Sequence, residues 1–155
     1  MTPLILGLAG PVLTEAERGF FREVAPAGFI LFKRNIVDRA QVKVLTDALR
    51  SIAGRDDVPI LIDQEGGRVA RMQPPEWPAF PRGSDFDRLY DLAPMSAIEA
   101  VRANAQALAL MVREAGGVFT DLEGKPPALD TTSVLAGTPA IHAQALERMR
   151  DIRSG

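Results

Sequence analysis

Short unbroken apolar runs alternate with amphipathic stretches along the first 62 residues. Leu4-Ile5-Leu6-Gly7-Leu8, Phe29-Ile30-Leu31-Phe32 and Ile60-Leu61-Ile62 read as three strands. They are apolar throughout rather than alternating, which suits a parallel sheet covered on both faces. Between them, Thr14-Glu15-Ala16-Glu17 has capping-box spacing and opens a helix to about Val24, and Pro26-Ala27-Gly28 breaks the chain. Asp38 caps a second helix, with Gln41 three positions on and Val42, Leu45, Leu49 and Ile52 as its apolar stripe. The order β-α-β-α-β predicts an α/β fold with right-handed crossovers. Open doubly wound sheets and (β/α)8 barrels both begin this way.

From Met72 to Pro94 the pattern is lost. Pro74, Pro75, Pro78, Pro81 and Pro94 exclude a long helix, while Trp77, Phe80 and Phe86 give the segment something to pack. It reads either as a functional loop or as a strap over a sheet end. Ser96 to about Glu114 is the clearest helix, with Ile98, Val101, Ala105, Leu108 and Met111 on one face and Gly116-Gly117 ending it. The texture then changes. Val118-Phe119-Thr120 and Ser133-Val134-Leu135-Ala136 are short strands that could extend the sheet, and Asp121 to Pro127 is turn chemistry. Thr138 and Pro139 start a last helix with Ile141, Ala145, Met149 and Ile152 on its apolar side.

With 155 residues, 46% hydrophobic and 25% charged, the composition is that of one soluble globular domain. The net charge of −2 shows no basic excess for a nucleic-acid partner. There is no cysteine, which removes disulfides and thiolate chemistry and fits a cytoplasmic location. No apolar stretch is long enough for a membrane span, and Met1-Thr2-Pro3 lacks the charged start of a signal peptide. The single histidine, His142, excludes a histidine-rich metal site and reads as a surface or capping residue. Asp121 and Glu123 read as turn residues rather than as magnesium ligands, which need several convergent oxygens.

The run Ile60 to Arg71 carries the candidate chemistry: an apolar strand delivers Asp63 at its C-terminal tip, where α/β folds place ligand sites. Gly66 and Gly67 let the backbone turn sharply, and Glu65 and Arg68 brace the loop. On these residues alone, Asp63 reads as a cap and Arg71 as a solvated charge. The run is, however, close to a signature of the family 3 glycoside hydrolases, and it resembles most the bacterial β-N-acetylglucosaminidases that trim cell-wall fragments. Gly28 to Asn35, Asp63 to Arg71, the proline loop and the long helix all match. The resemblance implies a (β/α)8-type barrel, of which this chain supplies three or four units. It implies removal of terminal N-acetylglucosamine with retention of configuration, without metal or organic cofactor. It also implies sugar binding by Asp63 and Arg71. A carboxylate accepts hydrogen bonds from hydroxyls, and a guanidinium donates several in one plane.

The family's nucleophilic aspartate on a late strand, and its acid/base histidine in a Lys-His-Phe-Pro-Gly-His run, have no counterpart in these residues. Retaining hydrolysis needs both groups across one bond, so the chain alone is expected to be inactive. A second likeness covers Val112 to Pro126 and Leu135 to His142, which resemble the C-terminal part of the inositol monophosphatases. The metal-binding carboxylates of that family are missing, so the likeness transfers shape and no catalytic residue. The domain reading is a partial β/α unit over 1–115 with a phosphatase-like tail, 116–155, packed on it. The alternatives to a glycosidase lineage are a non-catalytic fragment or designed chimera with weak sugar binding, and a phosphatase remnant. A partial barrel also leaves sheet edges uncovered, which favours self-association.

Overall fold

Three parallel strands form the centre of the molecule, in the order β1-β2-β3: β1 (Thr2–Gly7), β2 (Pro26–Leu31) and β3 (Ile60–Ile62). The computed structural model describes residues 2–121, 123–125, 134–137, 142–147 and 149. Helices α1 (Glu15–Val24) and α2 (Arg39–Ala53) make the two crossovers. Thr14 caps α1 in a full capping box with Glu17, and Asp38 caps α2 through the Gln41 N–H. Burial of the Glu17 carboxylate would raise its pKa. The N–H groups of Ala9 and Thr14 and the Thr14 hydroxyl outweigh that and hold it below the ordinary value.

Helix α1 stops at Ala25, which takes a left-handed conformation (φ 46°), and Pro26 opens β2 directly. The expected break at Pro26-Ala27-Gly28 is therefore the start of the strand, a position where proline costs no ladder bond. Gly28 is required there. A side chain on it would meet Ile5 Cδ1 and the Pro59 carbonyl, both at 2.8 Å.

One face of the sheet is packed. Phe29 and Leu31 are buried with Leu8, Leu13, Phe21, Leu45, Leu49 and Val58, and Leu6, Ile60 and Ile62 lie against them. The other face carries Ile5, paired with Gly28, and Leu61, paired with Ile30. Ile5 and Leu61 are 45% and 46% exposed, so the covering expected on that face is incomplete.

A second cluster joins Val42 on α2, Met72, Trp77 and Phe80 to Met111. Arg39 covers the Trp77 ring at 5.6 Å, pairs with Glu114 and donates to the Glu76 carbonyl. Met72 to Phe80 is thus a strap between α2 and the long helix α4 (Pro94–Glu114). Its continuation corrects the expected loop. Residues Gly83–Leu92 form a helix, α3, in the interval between Pro81 and Pro94. Prolines that exclude a helix across the whole segment still leave room for one of ten residues. Ile98 and Val101, expected on a buried face, instead line an open cavity of about 380 Å³ with Phe86 and Tyr90.

The tail departs from expectation. Among the described residues β6 (Val118–Asp121) and β7 (Val134–Gly137) pair only with each other, antiparallel, and pack against α4 without extending the main sheet. Residues 142–147 are helical. The expected helix start at Thr138 and Pro139 lies outside the described residues, as do Ser133, Ile141 and Ile152. His142 is not a surface residue. It is 5% exposed, with Nε2 at 2.7 Å from the Thr120 hydroxyl.

Candidate functional site

Asp63 follows the last residue of β3, at the C-terminal end of the sheet. The chain then folds back as a hairpin of β4 (Gln64–Gly66) and β5 (Val69–Ala70). Its turn needs both glycines. Gly66 and Gly67 have φ 98° and 56°, and the space a Gly66 side chain would fill holds the Pro81 carbonyl oxygen. The Gly67 N–H donates to the Phe80 carbonyl at 2.9 Å, which ties the turn to the strap.

The return strand brings Arg71 to Asp63. Arg71 Nη2 donates to Asp63 Oδ2 at 2.9 Å. The two residues singled out in the sequence therefore meet, eight positions apart. The bracing expected from Glu65 and Arg68 falls instead to Gln64. Its Oε1 accepts from the N–H groups of Arg71 (2.9 Å) and Met72 (3.0 Å), and its Nε2 donates to the Met72 carbonyl (3.0 Å). Glu65 and Arg68 are exposed and reach no partner among the described residues. Gln64 has a visible signal, an amide side chain between two carboxylates, but spacing alone does not reveal its partners.

The neighbouring strand end supports the same rim. Asn35, fully buried, donates from Nδ2 to the carbonyls of Leu8 and Gly10 and accepts the Phe32 N–H. Lys33 Nζ donates to Gln73 Oε1 at 2.8 Å, linking the β2 end to the residue two past Arg71. The sequence reading gave neither residue a role. A polar run after an apolar strand was their only signal.

The Asp63 and Arg71 side chains are 43% and 25% exposed. An ion pair this accessible stabilises a fold by about 1 kcal/mol or less, since water screens it. Its hydrogen-bonding capacity is only partly filled. Asp63 Oδ1 has no partner among the described residues, and Arg71 Nε is buried without one. A buried N–H without an acceptor costs about 1–3 kcal/mol, a cost the fold carries at Arg71 Nε. The accessible Asp63 Oδ1 is an acceptor that a hydroxyl can donate to. Among the described residues there is no group of three or more acidic, histidine or cysteine side chains that could hold a metal ion.

No protein-family model matches the chain. Among curated proteins it is 43% identical over 113 residues to a β-hexosaminidase of Xanthomonas oryzae pv. oryzae, covering 73% of this chain and 33% of that protein. Among solved structures it is similar to NagZ from Neisseria gonorrhoeae in complex with zinc ion, with TM-score 0.68 and 28% identity over 74% of this chain and 34% of that one. The same protein in complex with N-trifluoroacetyl-D-glucosamine matches with TM-score 0.63 and 28% identity over 73% and 33% of the two chains. A glycoside hydrolase family 3 β-N-acetylglucosaminidase from Paenibacillus sp. matches with TM-score 0.61 and 26% identity over 72% and 20%. The chain spans about a third of the length of the curated relatives it matches. A parallel β/α sheet that ends in an Asp63–Arg71 pair, together with these likenesses, makes about three quarters of this chain homologous to the N-terminal part of the family 3 β-hexosaminidases.

Proposed function

We propose that Asp63 and Arg71 hold a terminal N-acetylglucosamine unit, as the sugar-gripping part of a barrel-type β-N-acetylhexosaminidase acting on cell-wall fragments in the cytoplasm. The observation that carries this reading is the pair itself, in which the Asp63 side chain is 43% exposed and keeps Oδ1 without a partner among the described residues. The amino-sugar derivative named with a structural neighbour supports it. Retaining hydrolysis also needs a nucleophile and an acid/base. These residues supply neither, so the chain by itself binds without turning over.

The test has two arms. Purified chain is mixed with p-nitrophenyl N-acetyl-β-D-glucosaminide, and separately titrated with N-acetylglucosamine by NMR, each beside Asp63→Ala. Binding that disappears in the variant, without p-nitrophenol release, supports the reading. Turnover by the wild type would overturn the inactive part. Absence of any binding by a folded sample would overturn the site.

The residues from 116 onward we read as a second lineage joined to the first. Two observations favour this: the relatives match only 113 residues, and β6 and β7 form a sheet of their own. The half-exposed Ile5 and Leu61 also favour self-association through the open side of the main sheet. Sedimentation that stays monomeric at high concentration would remove that expectation.

A further inference from the structure

The parallel register places one aromatic residue at the end of the strand beside the one that leads to Asp63. Leu31 pairs with Ile62, and the next residues along the two chains are Phe32 and Asp63. Leu31 and Ile62 pack against the helix-covered core, so by alternation Phe32 projects to the opposite, open face, at the strand end neighbouring Asp63. Phe32 is extended (φ −114°, ψ 173°), so the alternation carries through it. An aromatic residue serving only to fill the core would point to the helices, as Phe29 does.

The ring is held from two sides. Its backbone N–H donates to the buried Asn35 Oδ1 at 2.8 Å. The Arg34 guanidinium lies 4.8 Å from the ring centroid, and Arg34 Nε donates to the Leu8 carbonyl at 2.7 Å. Both groups lie over Gly7 on β1, where an added Cβ would be in ordinary contact, 3.4 Å, with Arg34 Nη2 and with the Phe32 ring. The strand order sets the groups in a row: Arg34 anchored over β1, Phe32 at the end of β2, and Asp63 with Arg71 at the end of β3.

We infer that Phe32, braced by Arg34, is the stacking platform of the sugar site and selects a ligand with an apolar C–H face. A pyranose has hydroxyl edges and C–H faces. The edges suit Asp63 and Arg71, and the slightly positive C–H bonds suit the electron-rich face of a fixed ring. Arg34 engages one face of the ring, and a sugar held by Asp63 and Arg71 meets the other. Arg34 is a positioning residue that acts through Phe32. This inference rests on the sugar-site reading above.

The experiment is saturation-transfer NMR on the full chain with N-acetylglucosamine, comparing wild type, Phe32→Leu, Phe32→Tyr and Asp63→Ala, each checked for fold by thermal melting. Phe32→Leu is expected to bind about two- to tenfold more weakly. It should also lose transfer from aromatic protein protons to the axial ring hydrogens of the sugar, and Phe32→Tyr should restore both. If Phe32→Leu binds as tightly as wild type, with unchanged transfer, while Asp63→Ala does not bind, the platform is wrong and the Asp63–Arg71 site stands. If wild type shows no binding, the sugar site and the platform both fall.

Discussion

Two strand ends in this molecule carry nearly the same local sequence and do opposite things with it. β3 leads into Asp63-Gln64-Glu65-Gly66, and β6 ends in Asp121, followed by Leu122-Glu123-Gly124. At the first end the carboxylate meets an arginine side chain and keeps one oxygen open. At the second, Asp121 Oδ1 accepts the N–H groups of Glu123 (2.9 Å) and Lys125 (2.7 Å), and the carboxylate is absorbed by its own turn. The second position differs. Gln64 satisfies the backbone donors of the returning strand. A leucine has no oxygen with which to do so, and the aspartate takes that work. The glycines differ as well. Gly66 sits against the Pro81 backbone, while Gly124 (φ 85°) faces, among the described residues, only the end of the Leu146 side chain at 3.1 Å. The availability of a carboxylate at a strand end thus depends on who else satisfies the backbone.

Substitutions at the paired positions would break or sharpen this contrast. The largest effect is expected from Gly66→Ala, which combines a positive φ with a collision against backbone that has no room to give. It should destabilise by about 3–4 kcal/mol in urea unfolding. Gly124→Ala has a similar φ but a yielding neighbour, and about 1–2 kcal/mol is expected. Equal losses at the two glycines would show that the strap is not held against the hairpin.

Gln64→Leu converts the first end to the residue type of the second. It removes the acceptor for two part-buried N–H groups, with an expected loss of about 2 kcal/mol. Weakened N-acetylglucosamine binding should accompany that loss, as Asp63 turns to the vacated donors. Asp121→Ala should cost about 1 kcal/mol, while Asp121→Asn, which keeps the accepting oxygen, should be nearly neutral in the same melts.

The smallest effect is a pH dependence. Glu17, like Asp121, is engaged by backbone N–H groups, and its pKa is lowered. A carboxylate depressed in the folded state stabilises it above the ordinary glutamate value, and that contribution is lost as the pH falls through the folded value. The melting temperature of wild type should therefore fall more steeply than that of Glu17→Gln as the pH drops below about 4.5. Parallel curves would remove the role assigned to Glu17.

Much of the fold was legible because its signals are local. Continuous apolar runs marked the three strands, and Thr14 and Asp38 marked the helix starts through bonds closed within three residues. The meeting of Asp63 with Arg71 was legible only with the family resemblance, since a strand-end acid and a later arginine are ordinary by themselves. Helix α3 was missed because prolines on both sides of it dominate the pattern. His142 was misread because its burial depends on Thr120, 22 residues away. The exposure of Ile5 and Leu61 was also illegible, since an apolar run has the same composition whether or not anything covers it.

The sequence by itself determined the order of the first five elements, their parallel β/α arrangement, the turn at Gly66-Gly67 and the candidate carboxylate at the strand tip. These follow from backbone sterics and hydrophobic pattern, which act over a few residues. Only the tertiary structure decided that Gln64 takes the brace, that the Pro81 backbone closes on Gly66, that Leu31 pairs with Ile62 so that Phe32 and Asp63 follow at neighbouring strand ends, and that β6 and β7 pair apart from the main sheet. Those outcomes depend on which distant groups arrive to satisfy a donor or fill a space.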